Sequence, residues 1–345
     1  MNGSRGGHDP DSSAREVLRC YGVSCPQPTI EPLGNHGGFS GARLWRITSL
    51  AGHFCLRGWP PDDPSPDRLQ EIHESMIVAR RFGLTFVPAI LATDSGSTFA
   101  QCADRLWELT SWMPGRADFH AQPTPARLEA ACTALARVHQ VWCRSARSVG
   151  TCTGVLRRAE RAHEWLRLIR QGWLPSFTPA DPFSPWTRRA WSLLRQHVSR
   201  IPEQLAMWVG EELPLQRCLC DIWHDHVLFE QDAVTGLIDF GALKTDHAAV
   251  DLARLLGSLV GDDPALWKVG ITAYRQLRPL SGKEELLAHV LDRTGTILAL
   301  GSWLRWLYRE GKPLPDGEGA VRRLAELVQR VERWDPSTQR QQVPT

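Results

Sequence analysis

Short apolar runs separated by turn residues dominate the chain up to about Trp112. Four of these runs have the length and composition of β-strands, and they occur in two pairs. Between the pairs, apolar residues three and four positions apart predict a helix over Asp67–Phe82. The N-terminal part is therefore predicted to be a small sheet with one helix. The predicted strands are Leu44–Thr48, His53–Arg57, Thr98–Cys102 and Leu106–Thr110.

Helical spacing prevails after the short connection Pro114–Gly115. Val227–Phe229 and Val234–Phe240 interrupt it as two apolar runs that predict a strand hairpin. The pattern divides the chain into domains at 15–112 and 113–336, with polar tails at 1–14 and 337–345 that are predicted to be disordered. The predicted helices are Arg127–Trp142, Leu156–Arg170, Trp186–Arg200, Val250–Leu259, Lys283–Tyr308 and Ala320–Trp334.

The composition is that of a folded chain with balanced charge. Of 345 residues, 42% are apolar, which suffices for a packed core, and 40 Lys and Arg are offset by 38 Asp and Glu. No overall basic field exists to hold a nucleic acid or an anionic membrane, so neither is expected as a partner. Nine cysteines without a CxxC pair favour reduced thiols and a cytoplasmic location. The most apolar stretch, Ile297–Tyr308, is too short to span a bilayer.

Acidic and imidazole side chains concentrate around the predicted hairpin. Asp221, Asp225 and Asp239 supply three carboxylates, with His224 and His226 between them in sequence. Phosphoryl transfer needs one carboxylate to orient and deprotonate a hydroxyl and another to hold a divalent ion. Asp221 and Asp239 can supply these two roles.

Two other interpretations of the same segment stay open. Asp221 could be a capping carboxylate, with the two histidines as surface residues. Alternatively, a zinc ion could be bound by two cysteines and two histidines, although structural zinc ligands more often pair two to four residues apart on a turn. The zinc ligands would be Cys218, Cys220, His224 and His226.

The segment resembles the aminoglycoside phosphotransferase and choline-kinase-like family, a branch of the protein-kinase-like fold. The family's catalytic loop reads HGDxHxxNxLF and is followed, after a hairpin, by an IDF or IDFG metal motif. Asp221 corresponds to the catalytic aspartate and Leu237–Gly241 to the metal motif. Leu135–His139 resembles the family's LAxLH helix, and Asp251–Ala253 resembles the helix after the metal loop. The resemblance covers roughly residues 25–310.

The resemblance implies an α+β, two-lobed protein-kinase-like fold, with a small N-terminal antiparallel sheet lobe containing one helix and a larger, mainly helical C-terminal lobe. It also implies ATP as phosphoryl donor, a divalent metal (Mg or Mn) and a small-molecule hydroxyl as acceptor. Asp221 would be the catalytic base, and Asp239 would bind the metal.

The loop also departs from the family pattern. Leu219 and Cys220 replace the histidine and glycine before the catalytic aspartate, and His226 stands where the family has its metal-binding asparagine. Either His226 binds the metal through a ring nitrogen, which suits Mn or Zn better than Mg, or that ligand is lost. Asp225 could instead lend an oxygen.

The N-terminal strands carry the nucleotide side of the resemblance. A glycine-rich turn lets backbone N–H groups approach phosphates, and its candidate residues are Gly37, Gly38 and Ser40. Kinase-like folds place a phosphate-binding lysine where Arg57 ends its strand. Because no lysine precedes Lys244, Arg57 is predicted to bind the phosphates.

Two further elements would complete this nucleotide site. A carboxylate of the following helix, Glu71 or Glu74, is expected to pair with Arg57, and Glu71 is preferred. Glu108 and Thr110 lie on the strand and hinge whose backbone would meet adenine.

The function predicted from the sequence is ATP-dependent phosphorylation of a hydroxyl on a small molecule. The main alternative is a catalytically inactive nucleotide- or ligand-binding protein on the same scaffold, suggested by Leu219, Cys220 and His226. A zinc-stabilised interaction protein is a third interpretation. The sequence leaves the acceptor open among amino alcohols, sugars, antibiotics and other hydroxylated metabolites.

Overall fold

The computed structural model describes residues 10–22, 28–34, 41–61, 63–145, 148–178, 181–312 and 317–334. The chain forms two compact units, of which the first contains the N-terminal sheet and the second most of the helices. The units are Met1–Ala131 with Asp225–Gly241, and Cys132–His224 with Ala242–Thr345.

The division between the units falls inside the helix Pro125–Ser145 rather than at Trp112, where the sequence pattern changes. The first turn of this helix belongs with the sheet because Arg127 donates to the Gln231 carbonyl at 2.8 Å and to the Asp118 carboxylate at 2.6 Å. The hairpin that contains Gln231 is therefore part of the first unit, although it follows nearly half of the second unit in the chain.

Within the described residues, a five-stranded antiparallel sheet forms the body of the first unit, in the order β1-β2-β3-β5-β4. The four predicted strands are confirmed, with bounds that differ by at most two residues. The predicted helix is found at Pro66–Arg81, where the Ser65 hydroxyl caps it by accepting from the Arg68 N–H. The elements are α1 (Pro10–Leu18), β1 (Thr29–Gly34), β2 (Arg43–Ser49), β3 (Gly52–Gly58), α2 (Pro66–Arg81), β4 (Ala100–Cys102) and β5 (Arg105–Ser111).

Residues 10–14 belong to a helix, so the prediction of a disordered tail over 1–14 is wrong for them. Ala14 and Val17 of α1 are fully buried and pack with Trp45, Leu56 and Trp107 on one face of the sheet. The apolar residues of α1 come at its C-terminal end, and composition alone therefore placed its start in a polar tail. The tail predicted at 337–345 lies outside the described residues.

The helical spacing predicted after Pro114 is confirmed at all six segments. The predicted hairpin is also found, but its second strand ends at Leu237 and not at Phe240, so Asp239 lies in the loop that follows it. The sequence did not predict the helix Pro264–Arg275, although Asp263 caps it and Pro264 occupies its first turn, both common start signals. The remaining elements are α3 (Pro125–Ser145), β6 (Ser148–Gly150), α4 (Thr153–Arg170), α5 (Ser184–His197), α6 (Ile201–Leu205), β7 (Leu213–Cys218), β8 (Val227–Glu230), β9 (Ala233–Leu237), β10 (Lys244–Asp246), α7 (Ala249–Leu259), α8 (Pro264–Arg275), α9 (Gly282–Tyr308) and α10 (Gly317–Glu332).

A short antiparallel sheet of the second unit, in the order β10-β7-β6, was not predicted. Strand β7 ends at Cys218, directly before the loop that contains Asp221, and β10 precedes helix α7. This sheet therefore positions both the loop and the start of α7. Among the described residues, no helix is long and apolar enough to cross a membrane, and the eight described cysteines form no disulfide bond.

Candidate active site

Arg57 lies at the centre of a charged cluster in the first unit. Its Nη1 donates to Asp239 Oδ1 at 3.0 Å, and its Nε lies 3.6 Å from Glu108 Oε1. The guanidinium also stacks over the ring of Trp59, 4.7 Å from the ring centre. Burial lowers the pKa of Arg57, but the carboxylates of Asp239 and Glu108 outweigh burial and raise it above its usual value. The strand cation predicted to bind phosphates is thus held as a permanent charge between two acids.

Glu108 holds Arg57 from the neighbouring strand. The two residues face each other in the register of β3 and β5, and Glu108 Oε2 also lies 2.6 Å from His73 Nε2 on α2. Burial raises the pKa of Glu108, but the bonds to His73 and Arg57 together lower it below its usual range. Glu108 lies on the strand whose backbone was expected to meet adenine, and its side chain pairs with Arg57 and His73. Thr110, its companion in that prediction, is buried in β5 opposite Cys55.

Glu71 does not supply the carboxylate that was expected for Arg57. Its side chain is exposed on α2 and pairs with Arg68 at 3.3 Å, while Glu74 is also exposed and accepts from Gln70. The inward face of α2 presents His73, which is fully buried. Since residues two positions apart on a helix point in different directions, Glu71 faces away when His73 faces the sheet. His73 was not predicted as a site residue from the sequence, although it falls beside the apolar residues of that helix.

Asp239 follows the β8–β9 hairpin and presents its other oxygen to an imidazole. The backbone of Asp239 is left-handed, with φ of 61°, and Oδ2 lies 3.6 Å from His226 Nε2. A backbone bond from Ile238 N–H to the His226 carbonyl, 3.0 Å long, fixes the two residues side by side. Burial raises the pKa of Asp239, but Arg57 first and then His226 lower it below its usual value. Asp239 is accordingly a carboxylate at neutral pH.

The donor atoms of Asp239 and His226 fit a divalent ion. Two ligands that each lie about 2.1 Å from one ion are separated by about 3–4 Å, and Oδ2 and Nε2 are 3.6 Å apart. One carboxylate oxygen and one imidazole nitrogen form a mixed set that borderline ions such as Mn²⁺ and Zn²⁺ accept more readily than Mg²⁺ does. The glycine-rich residues Gly37, Gly38 and Ser40, predicted to face the phosphates, lie outside the described residues.

Asp221 belongs to the second unit, in a loop that Asp251 holds through the backbone. Asp251, buried on α7, accepts from the N–H groups of Leu219 at 2.7 Å and of Cys220 at 2.6 Å. Cys220 has a left-handed backbone, with φ of 64°, in the position where the family has glycine. The loop therefore keeps the glycine conformation without the glycine, at a cost in strain.

A buried histidine supports Asp251 from behind. His139 Nε2 lies 2.9 Å from Asp251 Oδ2, and Nδ1 lies 2.7 Å from the Tyr274 hydroxyl. Burial lowers the pKa of His139, and the bond to Asp251 offsets only part of that effect. A neutral imidazole that donates to Asp251 from Nε2 must accept from the Tyr274 hydroxyl at Nδ1. The loop is thus fixed by a chain of three buried polar side chains.

The Asp221 side chain is half exposed and contacts an arginine. Arg254 Nε and Nη2 each lie 3.1 Å from Asp221 Oδ1. Arg254 also lies over the ring of Trp223, 5.7 Å from its centre, and Arg323 lies over the same ring at 5.0 Å. The predicted catalytic carboxylate is therefore paired with Arg254, a residue that was not anticipated from the sequence.

The zinc interpretation gains no support from the described residues. Among them, the one group of three possible metal ligands is His139, Cys218 and Asp251, whose ligand atoms lie within 4.8 Å of one another. The histidine and aspartate of this group are occupied by the hydrogen bonds just described, and Cys218 donates to the Asp246 carbonyl. The group is therefore a hydrogen-bonded core cluster, and it contains neither of the histidines proposed for zinc.

Comparison with known proteins identifies the family of the chain. The model of the phosphotransferase enzyme family (APH) matches residues 30–289. A homoserine kinase of Acidiphilium cryptum (strain JF-5) is 26% identical over 215 residues, which is 61% of this chain and 61% of that kinase. The chain thus aligns with less than two thirds of that relative.

Two solved structures share the fold. Spectinomycin phosphotransferase, in complex with ADP and spectinomycin, superposes with a TM-score of 0.67 at 12% identity, covering 94% of this chain and 98% of the other. An aminoglycoside phosphotransferase of Alicyclobacillus acidocaldarius subsp. acidocaldarius DSM 446 gives 0.61 at 17% identity, covering 95% of each chain. At such identities the likeness shows the kinase-like fold alone. The family match covers most of the chain, and the chain therefore belongs to the phosphotransferase enzyme family.

Proposed function

We propose that this protein transfers the γ-phosphoryl group of ATP to a hydroxyl of a small molecule. The observation that carries the proposal is the 3.0 Å bond from Arg57 to Asp239, which joins the strand cation to the carboxylate of the metal motif. A cation for phosphates and a carboxylate for the divalent ion are the two charges that a nucleotide–metal complex requires. The family match and the ADP-bound relative support the same donor.

Each residue of the site has a defined part in this reaction. Arg57 already uses Nε and Nη1 for the two acids, so its remaining N–H groups would meet the phosphates. Asp239 and His226 would hold the divalent ion, which neutralises the phosphate charge when it is bound. Asp221 would accept the proton of the acceptor hydroxyl.

The bonds of the reaction balance without any further reactant. The acceptor oxygen bonds to the γ-phosphorus, and the bond from that phosphorus to the β–γ bridging oxygen breaks. ADP leaves with the electron pair of the broken bond, and the hydroxyl proton passes to the Asp221 carboxylate. Because both reactants are small molecules, the chain's own work is to bind them, orient them and accept that proton.

The relatives suggest two classes of acceptor. One is a hydroxy amino acid, after the homoserine kinase, and the other is a hydroxylated antibiotic, after the spectinomycin and aminoglycoside phosphotransferases. The inactive-scaffold alternative draws no support from the family or from these relatives. We also propose a cytoplasmic location, which agrees with ATP as donor and with the thiol state of the described cysteines.

Nucleotide calorimetry and a turnover assay test the proposal together. We expect ATP to bind in the presence of Mn²⁺ or Mg²⁺, and ADP to form when a hydroxylated acceptor is added. The panel would hold amino alcohols, hydroxy amino acids, sugars and aminoglycosides, with Asp221→Ala as the inactive control. Absence of ATP binding with every metal would contradict the proposal, whereas binding without turnover of any acceptor would favour the inactive scaffold.

A further inference from the structure

We propose that Arg254 selects the acceptor by binding an anionic group on it, so that the preferred substrate carries a carboxylate close to its hydroxyl. The inference rests on the proposed phosphotransferase function and assigns that function a substrate class and a specificity-determining residue.

Arg254 lies directly beside the carboxylate of Asp221. It follows Asp251 by one helical turn on α7, so one short helix holds the catalytic loop and carries this arginine. Both Nε and Nη2 point at one oxygen of Asp221, at 3.1 Å. An acceptor hydroxyl that contacts the Asp221 carboxylate therefore also lies close to the Arg254 guanidinium, which contacts the same carboxylate.

The contact between Arg254 and Asp221 is open to exchange. The two side chains are 46% and 51% exposed, and ion pairs so close to water contribute little to stability. A guanidinium has five N–H donors in a planar fork that matches a carboxylate, and its Nε and Nη2 lie 3.1 Å from Asp221 Oδ1. A substrate carboxylate can therefore take a place on Arg254 beside Asp221 or in exchange for it.

The surrounding charge favours an anion over a polycation. Arg254 and Arg323 both lie over the Trp223 ring, at 5.7 and 5.0 Å, so two positive charges lie beside the side chain two positions after Asp221. A polycationic aminoglycoside meets like charge at this place, whereas an acceptor with a carboxylate meets complementary charge. Charge complementarity of this kind acts mainly on selectivity, because it penalises the wrong partner.

Matched pairs of acceptors that differ only in a carboxylate test the inference. The pairs are L-homoserine with 3-aminopropan-1-ol, L-serine with ethanolamine, and L-threonine with 1-aminopropan-2-ol. With saturating ATP and metal, we expect kcat/KM to favour the carboxylated member of the best pair by at least tenfold. Arg254→Gln should remove most of this preference through KM, with little change for the amino alcohol, and Arg254→Lys should restore part of it.

A control variant separates this effect from a general loss of surface charge. Arg275 on α8 is another partly exposed arginine of the same unit, and it pairs with Glu285 at 2.7 Å. Arg275→Gln should leave both members of each pair unchanged. Calorimetry with L-homoserine, AMP-PNP and metal adds a readout that does not depend on turnover, and Arg254→Gln should weaken that binding.

The outcomes distinguish the two proposals. If ATP is turned over only with amino alcohols or aminoglycosides, or with no preference within any pair, the inference fails and the phosphotransferase function stands. If Arg254→Gln lowers kcat for both members of a pair equally, Arg254 positions Asp221 and does not select the acceptor. If ATP neither binds nor turns over with any acceptor, the proposed function itself fails.

Discussion

Arg57 and Asp239 are 182 positions apart in the chain, yet their side chains form a hydrogen bond of 3.0 Å. The bond joins a strand of the N-terminal sheet to the residue that follows the β8–β9 hairpin. Both residues lie in the first unit. The unit therefore brings together, from its own elements, the cation that we propose for the phosphates and the carboxylate that we propose for the metal.

Replacing Arg57 by alanine should weaken ATP binding by roughly tenfold or more, because a charge-assisted hydrogen bond contributes about 1.5–3 kcal/mol. Arg57→Lys should lose less, since it keeps the charge without the fork. Calorimetry with ATP and metal measures both. Arg68→Ala is the matched control, because Arg68 pairs with the exposed Glu71. An unchanged affinity in a folded Arg57→Ala protein would contradict the assignment.

Alanine variants of Asp239 and Asp221 should differ in which step they lose when nucleotide binding and turnover are measured separately. Asp239→Ala should abolish metal-dependent nucleotide binding, because it removes a ligand in the ground state. Asp221→Ala should leave binding nearly intact and remove turnover, because Asp221 acts on the acceptor hydroxyl. Calorimetry and an ADP-release assay check the two arms. Crossed results, in which Asp221→Ala loses the metal and Asp239→Ala keeps it, would show that the roles are exchanged.

His226 should set the metal preference of the site. The variant His226→Asn replaces an imidazole nitrogen with an amide oxygen, which is the ligand type that Mg²⁺ prefers. We expect the ratio of Mn²⁺ to Mg²⁺ affinity to fall severalfold when both are measured in complex with AMP-PNP, by electron paramagnetic resonance for Mn²⁺ and by competition for Mg²⁺. An unchanged ratio would mean that His226 does not touch the ion.

At position 220, a glycine variant should be more stable than an alanine variant, which is the reverse of the usual order of stability. Both Cys220→Ala and Cys220→Gly remove the thiol, but only glycine adopts φ of 64° without strain. The glycine variant should therefore be the more stable of the two by about 1 kcal/mol, as measured by urea denaturation. If alanine is as stable as glycine here, the loop does not keep the left-handed conformation in solution.

His139 should make the fold sensitive to mild acid. Because its folded pKa lies below its unfolded value of 6.5, the unfolded chain binds the proton first as the pH falls. The contribution of the neutral His139 to the free energy of unfolding is thus fully present above pH 6.5 and is lost below it, down to the folded pKa. His139→Gln retains an N–H for Asp251 and has no proton to gain, so its free energy of unfolding should decline less between pH 7.5 and 5.5. Equal declines in denaturant titrations would refute this explanation.

Local sequence patterns predict the strand or hairpin in which a site residue lies, but not the contacts that its side chain makes. Arg57 is the next-to-last residue of β3, within one residue of its predicted place, whereas the pattern extended the second hairpin strand to Phe240 and so put Asp239 inside it. The partner of Arg57 depends instead on how α2 is turned against the sheet. That rotation follows from long-range packing, although the buried positions Leu69 and Ile72 already indicated that Glu71 faces outward. Arg254 was not predicted as a site residue because the sequence around α7 does not show that its side chain lies beside Asp221.

Asp251 grips the catalytic loop by its peptide N–H groups, which every amino acid except proline possesses. The side chains of Leu219 and Cys220 are therefore not needed for these two hydrogen bonds, and the loop is held although both residues differ from the family pattern. Replacing Leu219 or Cys220 by any residue but proline keeps both N–H donors, whereas replacing Asp251 would remove the acceptor of both at once. The position of Asp221 therefore depends on one buried side chain outside its own loop.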